Sequence, residues 1–272
     1  MLSCPILTYH SQNISGNSYA QNDHIALRDD LRALYRAGYH VAPLDWLAAW
    51  LDGERDDSSM EHAVVLTFDD GCDFDVRDLD YPDHGWQRSF AGIFRDFLDQ
   101  APALPVPLHA TSFVIASRAA RHTIDSASLF GQGWISDDWW RDTDAGGLIA
   151  VENHGWDHNH PDLAGAQRGS FHTVDTHEQC LQQVVQAAGA IEHITGRRPR
   201  YFAYPFGESS AYLREQFFPQ YPNLHRCRAA LGTAPAPVNR SSDRWNLPRF
   251  VCGRDWQSSR GLVDLIQPLI QI

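Results

Sequence analysis

Thr67-Phe68-Asp69-Asp70-Gly71 closes the apolar run Ala63-Val64-Val65-Leu66 with two adjacent carboxylates. An ionised carboxylate at the mouth of a buried strand has to be paired, hydrogen-bonded or metal-bound. Successive strand residues point to opposite faces, so the two acids can take different tasks, one holding a metal ion and the other moving a proton. Farther along, His154-Gly155-Trp156-Asp157-His158 offers two imidazoles at i, i+4 spacing. One carboxylate and two imidazoles form a ligand set that leaves coordination positions free for water and substrate. The set also occurs in non-haem iron oxygenases, but a spare carboxylate beside it suits hydrolysis better. It is not the HExxH pattern, because Gly155 stands where that glutamate would be. Taken singly, the acids also fit a helix-capping pair and the histidines a solvated loop; taken together they point to a metal site.

The elements that must position these groups alternate in type. Residues 6–9, 41–44, 63–68, 110–115, 148–151, 201–204, 228–231 and 247–251 read as strands, and residues 25–37, 45–51, 90–98 and 177–194 carry helical spacing of apolar side chains. Residues 72–88 read as a long loop over the mouth of the Asp69 strand, and residues 116–147 as irregular apart from a helical turn near Asp137-Asp138-Trp139-Trp140. Strands alternating with helices predict a parallel sheet flanked by helices, an α/β fold whose site is built by the loops after the strand C-termini. Both the Asp69-Asp70 and the His154-His158 segments follow such strands. Asp73, Asp75, Asp78 and Asp80 continue the acidic segment and are expected to be solvated, with Asp73 or Asp75 the alternative support for the base. Trp134, Trp139, Trp140 and Trp156 are expected mostly in the core, Trp156 nearest the site. His10, His84 and His172 have no assigned task, though His10 ends the first strand and points toward the mouth.

Composition narrows the classes. The 272 residues carry a formal charge of −12, which argues against a nucleic-acid partner. All 22 basic residues are Arg, so no lysine Schiff base is available. The five cysteines are scattered without a CxxC pair, which excludes a zinc knot and predicts reduced thiols. No repeat or linker divides the chain, and one domain over 1–272 is expected. No apolar run reaches bilayer length, and the first residues lack the basic-then-apolar pattern of a leader; the expectation is a cytoplasmic protein without a membrane span. The oligomeric state is not legible.

With Ile6-Leu7-Thr8-Tyr9-His10, Gly38-Tyr39, Thr67 to Gly71, Ala110 to Ile115, Asn153-His154 with His158, Phe202 to Gly207 and Leu247-Pro248-Arg249 in this order, the chain resembles the polysaccharide deacetylase (NodB-homology) family of carbohydrate esterases. The resemblance implies a distorted, TIM-like (β/α) barrel of about seven strands, a divalent metal (Zn2+ first, with Co2+, Ni2+ or Fe2+ possible), and removal of N-acetyl groups from a sugar or polysaccharide. Matched residue by residue, Asp69 corresponds to the general base, Asp70 to the metal carboxylate, and His154 and His158 to the metal imidazoles. The backbone N–H of Phe206 corresponds to the oxyanion donor after Pro205. Trp156, Pro205, Arg249 and His160 are expected beside the substrate. The chain departs from the family at three points. Ala203 stands where the family often has the Arg that orients the base, leaving Arg249 or Arg200 to compensate. The late Leu-x-His segment that supplies the general acid is missing. The histidine segment also continues to Asn159-His160, so that His158 or His160 is the second imidazole; the i, i+4 spacing favours His158. Two rival functions fit the same residues: hydrolysis of a C–N bond in a small cyclic amide, and non-catalytic carbohydrate binding on a deacetylase scaffold.

Overall fold

Parallel strands buried on both faces read as mainly apolar runs rather than alternating ones, and in the computed structural model the central strands follow this, broken only by small hydroxyl residues such as Thr8, Thr67, Thr111 and Ser112. The structure describes residues 2–100, 104, 106–165 and 168–270. Strands β1 (Ile6–Tyr9), β3 (Ala63–Phe68) and β6 (Ala110–Val114) are buried at every position. With β2 (His40–Val41), β7 (Ile149–Asn153), β8 (Tyr201–Ala203), β9 (Ala229–Leu231) and β10 (Phe250–Val251) they form one curled parallel sheet in the order β10-β1-β3-β6-β7-β8-β9, with β2 added alongside β3. A further parallel bridge, Leu231 to Leu247, brings the β9 and β10 ends of the sheet toward each other. Seven strands in this curled path with helices around them make the distorted (β/α) barrel.

Helices α1 (Asp23–Arg36), α2 (Leu44–Leu51), α3 (Phe90–Gln100), α4 (Arg118–Ser128) and α5 (Trp140–Gly146) follow strands or loops of the first half. In the second half, α6 (His177–Cys180), a π-helical stretch (Leu181–Gln186) and α7 (Ala187–Thr195) run on as one. The short α8 (Phe218–Gln220) and α9 (Pro222–His225) precede the last long helix, α10 (Ser259–Ile270). Leu7, Tyr9, Leu66 and Phe68 pack outward on Leu27 and Leu31 of α1, Phe90 and Phe94 of α3, and Leu262 and Ile266 of α10. Ile6, Val65, Phe113, Tyr201 and Leu231 meet in a second cluster with α2. All five cysteines are buried and unpaired. No helix among the described residues is long and apolar enough to cross a membrane.

Three local readings are corrected. Residues 72–88 are not one loop: they hold a 3-10 turn and an antiparallel hairpin, β4 (Leu79–Tyr81) and β5 (Gly85–Gln87), with Asp80 opposite Trp86. Residues 116–147 hold two helices. The first starts at a Ser117 cap on the Ala120 amide, and its period is hidden because the buried face carries Arg121 and Asp125 beside Ile124. The second strand stops at Val41, and Pro43, not Asp45, precedes α2.

Candidate active site

Parallel strands place their C-terminal ends on one rim, so His10, Asp69-Asp70, His154 and Pro205-Phe206 emerge together after β1, β3, β7 and β8. Backbone geometry then aims them. Asp70, His158 and Phe206 all lie at positive φ (76, 60 and 59°), a region costly for side-chain-bearing residues and concentrated at functional sites. Gly71 adds a φ of 68°, and a Cβ there would stand 2.6 Å from Val114 Cγ1, so only glycine lets the Asp70 turn lie against β6.

Asp69 is almost fully buried, and Arg249 holds it in a two-toothed fork. Nη1 donates to Oδ1 and Nη2 to Oδ2, both at 2.7 Å, with Arg249 itself 0% exposed. The remaining guanidinium donors reach Gly232 O (2.8 Å) and Thr67 Oγ1 (3.2 Å). Burial pushes the Asp69 carboxyl up, but the charges of Arg249 and then His154 outweigh it, and the group sits below the usual carboxylate range. Of the two candidates for the missing arginine, Arg249 therefore occupies the place; Arg200 pairs with Asp45 instead. Ala203 still serves the site through its backbone, since its carbonyl accepts a 2.9 Å bond from His154 Nδ1.

That bond leaves His154 Nε2 facing Asp70 Oδ1 at 3.4 Å, and His158 Nε2 faces the same oxygen at 3.4 Å. The three ligand atoms lie within 4.8 Å of one another. With Nδ1 donating to Ala203 O, a neutral His154 turns the lone pair of Nε2 toward the Asp70 carboxylate, an arrangement that a proton or a cation between them resolves, while His158 Nδ1 is buried without a partner among the described residues. The separations match the edge of a tetrahedron with bonds of about 2.1 Å, so the residues fit a divalent ion such as zinc. The electrostatics agree. Burial opposes ionisation of Asp70, yet bonding to His154 and the charge of His158 hold its carboxyl far down. Burial also works against a charged His154, but Asp69 and Asp70 outweigh it and raise its pKa. Burial pushes His158 down to about 3. His160 lies outside this cluster: its Nδ1 is 3.5 Å from Asp162 Oδ2.

The histidine loop is supported from the π-helical stretch, a device often found at functional sites. Gln183 accepts from the amides of Trp156 (3.0 Å) and Asp157 (3.4 Å) and donates to Asp157 Oδ1 (2.6 Å), while Val184 O accepts from Asn153 Nδ2 (2.9 Å). Arg168 closes the loop on Asp157 at 2.7 Å. Trp156 is half-buried against the cluster of Val114, Trp139 and Trp140. Pro205 is buried, and the 42% exposed Phe206 ring stands edge-on to His158 at 4.5 Å.

One group escaped the sequence reading, and another was placed near the mouth without a task. Gln12 donates through Nε2 to Asp70 Oδ2, leaving Oδ1 for the imidazoles. His10 has a buried Nδ1 without a partner among the described residues, and its charge acts on both Asp69 and Asp70. Its place at the end of β1 was the one available signal; Gln12, two residues on, carried none. Of the acidic run, Asp80 is exposed as expected, but Asp73 and Asp75 are not solvated. Asp73 accepts from Ser136 N (2.9 Å) and Arg77 (2.6 Å) and is 3% exposed. Asp75 is 0% exposed, accepts from Ser11 and Ser112 at 2.6 Å each, and is pushed up to about 7 by burial. Buried serine and amide donors satisfy these acids in place of water, which no spacing rule reveals.

Fold and site together define a (β/α)-barrel protein with an acid–imidazole cluster at the strand C-termini. The polysaccharide deacetylase family model matches residues 56–217, more than half of the chain, and the chain belongs to that family. No curated protein matches the sequence. Among solved structures, IcaB from Ammonifex degensii is similar at 19% identity and TM-score 0.63, covering 98% of each chain. The Streptococcus pyogenes deacetylase PplD in complex with acetate is similar at 14% identity and TM-score 0.62, over 97% of this chain and 98% of that one. A de-N-acetylase from Aggregatibacter actinomycetemcomitans is similar at 13% identity and TM-score 0.64, over 96% and 99%. At these identities the likeness is one of fold.

Proposed function

We propose that this chain is a metal-dependent hydrolase that removes acetyl from an N-acetylated carbohydrate. The observation that carries the reading is the convergence of Asp70, His154 and His158 beside an Asp69 locked by Arg249, on a chain of the polysaccharide deacetylase family. In this reading Asp70, His154 and His158 would hold the ion, Zn2+ first, with Co2+, Ni2+ or Fe2+ acceptable to the same donors. When bound, such an ion lowers the pKa of water and polarises the acetyl carbonyl. Asp69, kept ionised by Arg249, takes the proton from the attacking water. The Phe206 N–H, held in its left-handed turn, donates to the oxyanion as the carbonyl becomes tetrahedral. His10 and His158 each have a buried Nδ1 without a partner among the described residues, and since His158 is assigned to the ion, in this reading His10 protonates the departing amine in place of the absent late histidine. The test is acetate release from N-acetylhexosamine oligomers by the zinc-loaded protein. It should be lost in Asp69→Asn with zinc retained; binding of oligomers without acetate release would favour the non-catalytic rival instead.

A further inference from the structure

Trp86 is 68% exposed in the middle of β5, opposite Asp80, the most exposed large hydrophobic side chain among the described residues. It borders a cleft of about 490 Å3 between α1, α3 and the hairpin, in the size range of small-ligand sites. Nothing in the proposed chemistry uses this cleft.

The hairpin is pinned rather than loose. Asn17 Nδ2 donates to His84 O (3.0 Å), Asn22 Nδ2 to Gln87 Oε1 (2.8 Å), and Gln87 Nε2 to His84 O (3.0 Å). Tyr81 stacks on His84 at 5.9 Å, and Arg88 ties the following residue to Asp78 and Asp96. The hairpin thus presents an indole at the edge of a floor that mixes Ile93 and Phe97 with amide and guanidinium groups. Each arginine lining the cleft has an acid beside it, although of these acids only Asp96 lines the cleft itself. Arg28 pairs with Asp29 at 2.8 Å, Arg32 stands 4.0 Å from the same acid, and Arg88 is shared between Asp78 and Asp96. A ligand of high charge would have to break these pairs, whereas a neutral polyhydroxylated one can lay an apolar ring face on the indole and hydrogen-bond to the planar groups around it. His24 lines the cleft from beneath, and its Nε2 lies 2.7 Å from the carbonyl of Ser11, the residue between His10 and Gln12.

We propose that this cleft is a secondary binding site for a neutral glycan segment, so that the substrate is an oligomer or polymer held at Trp86 as well as at the rim. The identity of the ligand rests on the deacetylase reading; the site itself does not. The test titrates the zinc-loaded protein, Trp86→Ala and Trp86→Phe with N-acetylhexosamine oligomers of increasing length, following calorimetric Kd and, for acetate release, KM. The expected result is about a 3- to 10-fold weaker Kd and higher KM for long oligomers in Trp86→Ala, partial rescue by Trp86→Phe, and no change for the monomer. Equal affinities of all three proteins at every length would overturn the inference while leaving acetate release to stand. Binding that depends on Trp86 without acetate release from any oligomer would uphold the cleft and sink the deacetylase reading. Tighter binding of a polyanionic glycan, or a Trp86-dependent change in oligomeric state without glycan binding, would also overturn the inference.

Discussion

Replacing Arg249 by methionine removes the cation that forks Asp69 while keeping an apolar side chain of comparable length. The wild-type pair has two charge-assisted bonds of 2.7 Å, with Arg249 0% and Asp69 3% exposed. Water cannot compensate at such burial, so breaking the pair should cost about 3–5 kcal/mol. The acceptors at Gly232 and Thr67 lose their donor as well. For a chain of this size the loss corresponds to a fall in Tm on the order of 10 °C. The sign of the pH effect follows from Asp69. Its folded pKa is depressed, so its contribution is present above the unfolded carboxylate pKa and is lost as pH falls through the folded value. Without Arg249 the burial that pushes the group up acts with less opposition, so both the acid loss of stability and the acid limb of activity should move to higher pH. The assay is urea unfolding across pH for Arg249→Met, Asp69→Asn and the double variant. The account predicts that the double variant is markedly less destabilised than the sum of the singles. Additive singles, or an Arg249→Met protein within about 1 kcal/mol of wild type with an unmoved acid limb, would refute the claim that Arg249 holds the base.

Asp75 should act in the opposite direction. Burial raises its folded pKa to about 7, so in the metal-free protein its ionisation costs stability as pH rises from about 4 through 7, by at most about 4 kcal/mol; Asp75→Asn should flatten that part of the pH profile in chemical unfolding, and an unchanged slope would count against the buried Ser11–Asp75–Ser112 arrangement. Gly71→Ala should destabilise by about 2–4 kcal/mol, since it combines a positive φ with a Cβ 2.6 Å from Val114 Cγ1; it should also weaken zinc binding by displacing Asp70, and a stable variant with unaltered zinc affinity would contradict that placement.

How much of this was legible follows from what each signal depends on. Strands β1, β3 and β6 were readable because burial on both faces leaves largely apolar, β-branched runs, and the alternation with helices pointed to the barrel. The acids and imidazoles were readable because metal chemistry constrains residue type and spacing together. Helix α4 was not, because its inner face buries Arg121, whose Nη1 and Nη2 donate to Ile135 O and Asp137, and Asp125, which accepts from the amides of Gly133 and Trp134. Such long-range polar satisfaction leaves no periodic trace. The same applies to Asp75 and Gln12. Arg249 and Arg200 were equal candidates in sequence, and only the packing of the chain before β10 against β1 and β3 separates them.

The most direct test of the central claim is acetate release, measured with zinc content on the same samples, for wild type, Asp70→Ala and Asp69→Asn acting on an N-acetylhexosamine oligomer. The account predicts about one zinc and steady acetate release for wild type, loss of both in Asp70→Ala, and zinc retained with a rate lowered by about 10²–10⁴ in Asp69→Asn. Zinc retained in Asp70→Ala, or acetate released at the wild-type rate by Asp69→Asn, would contradict it.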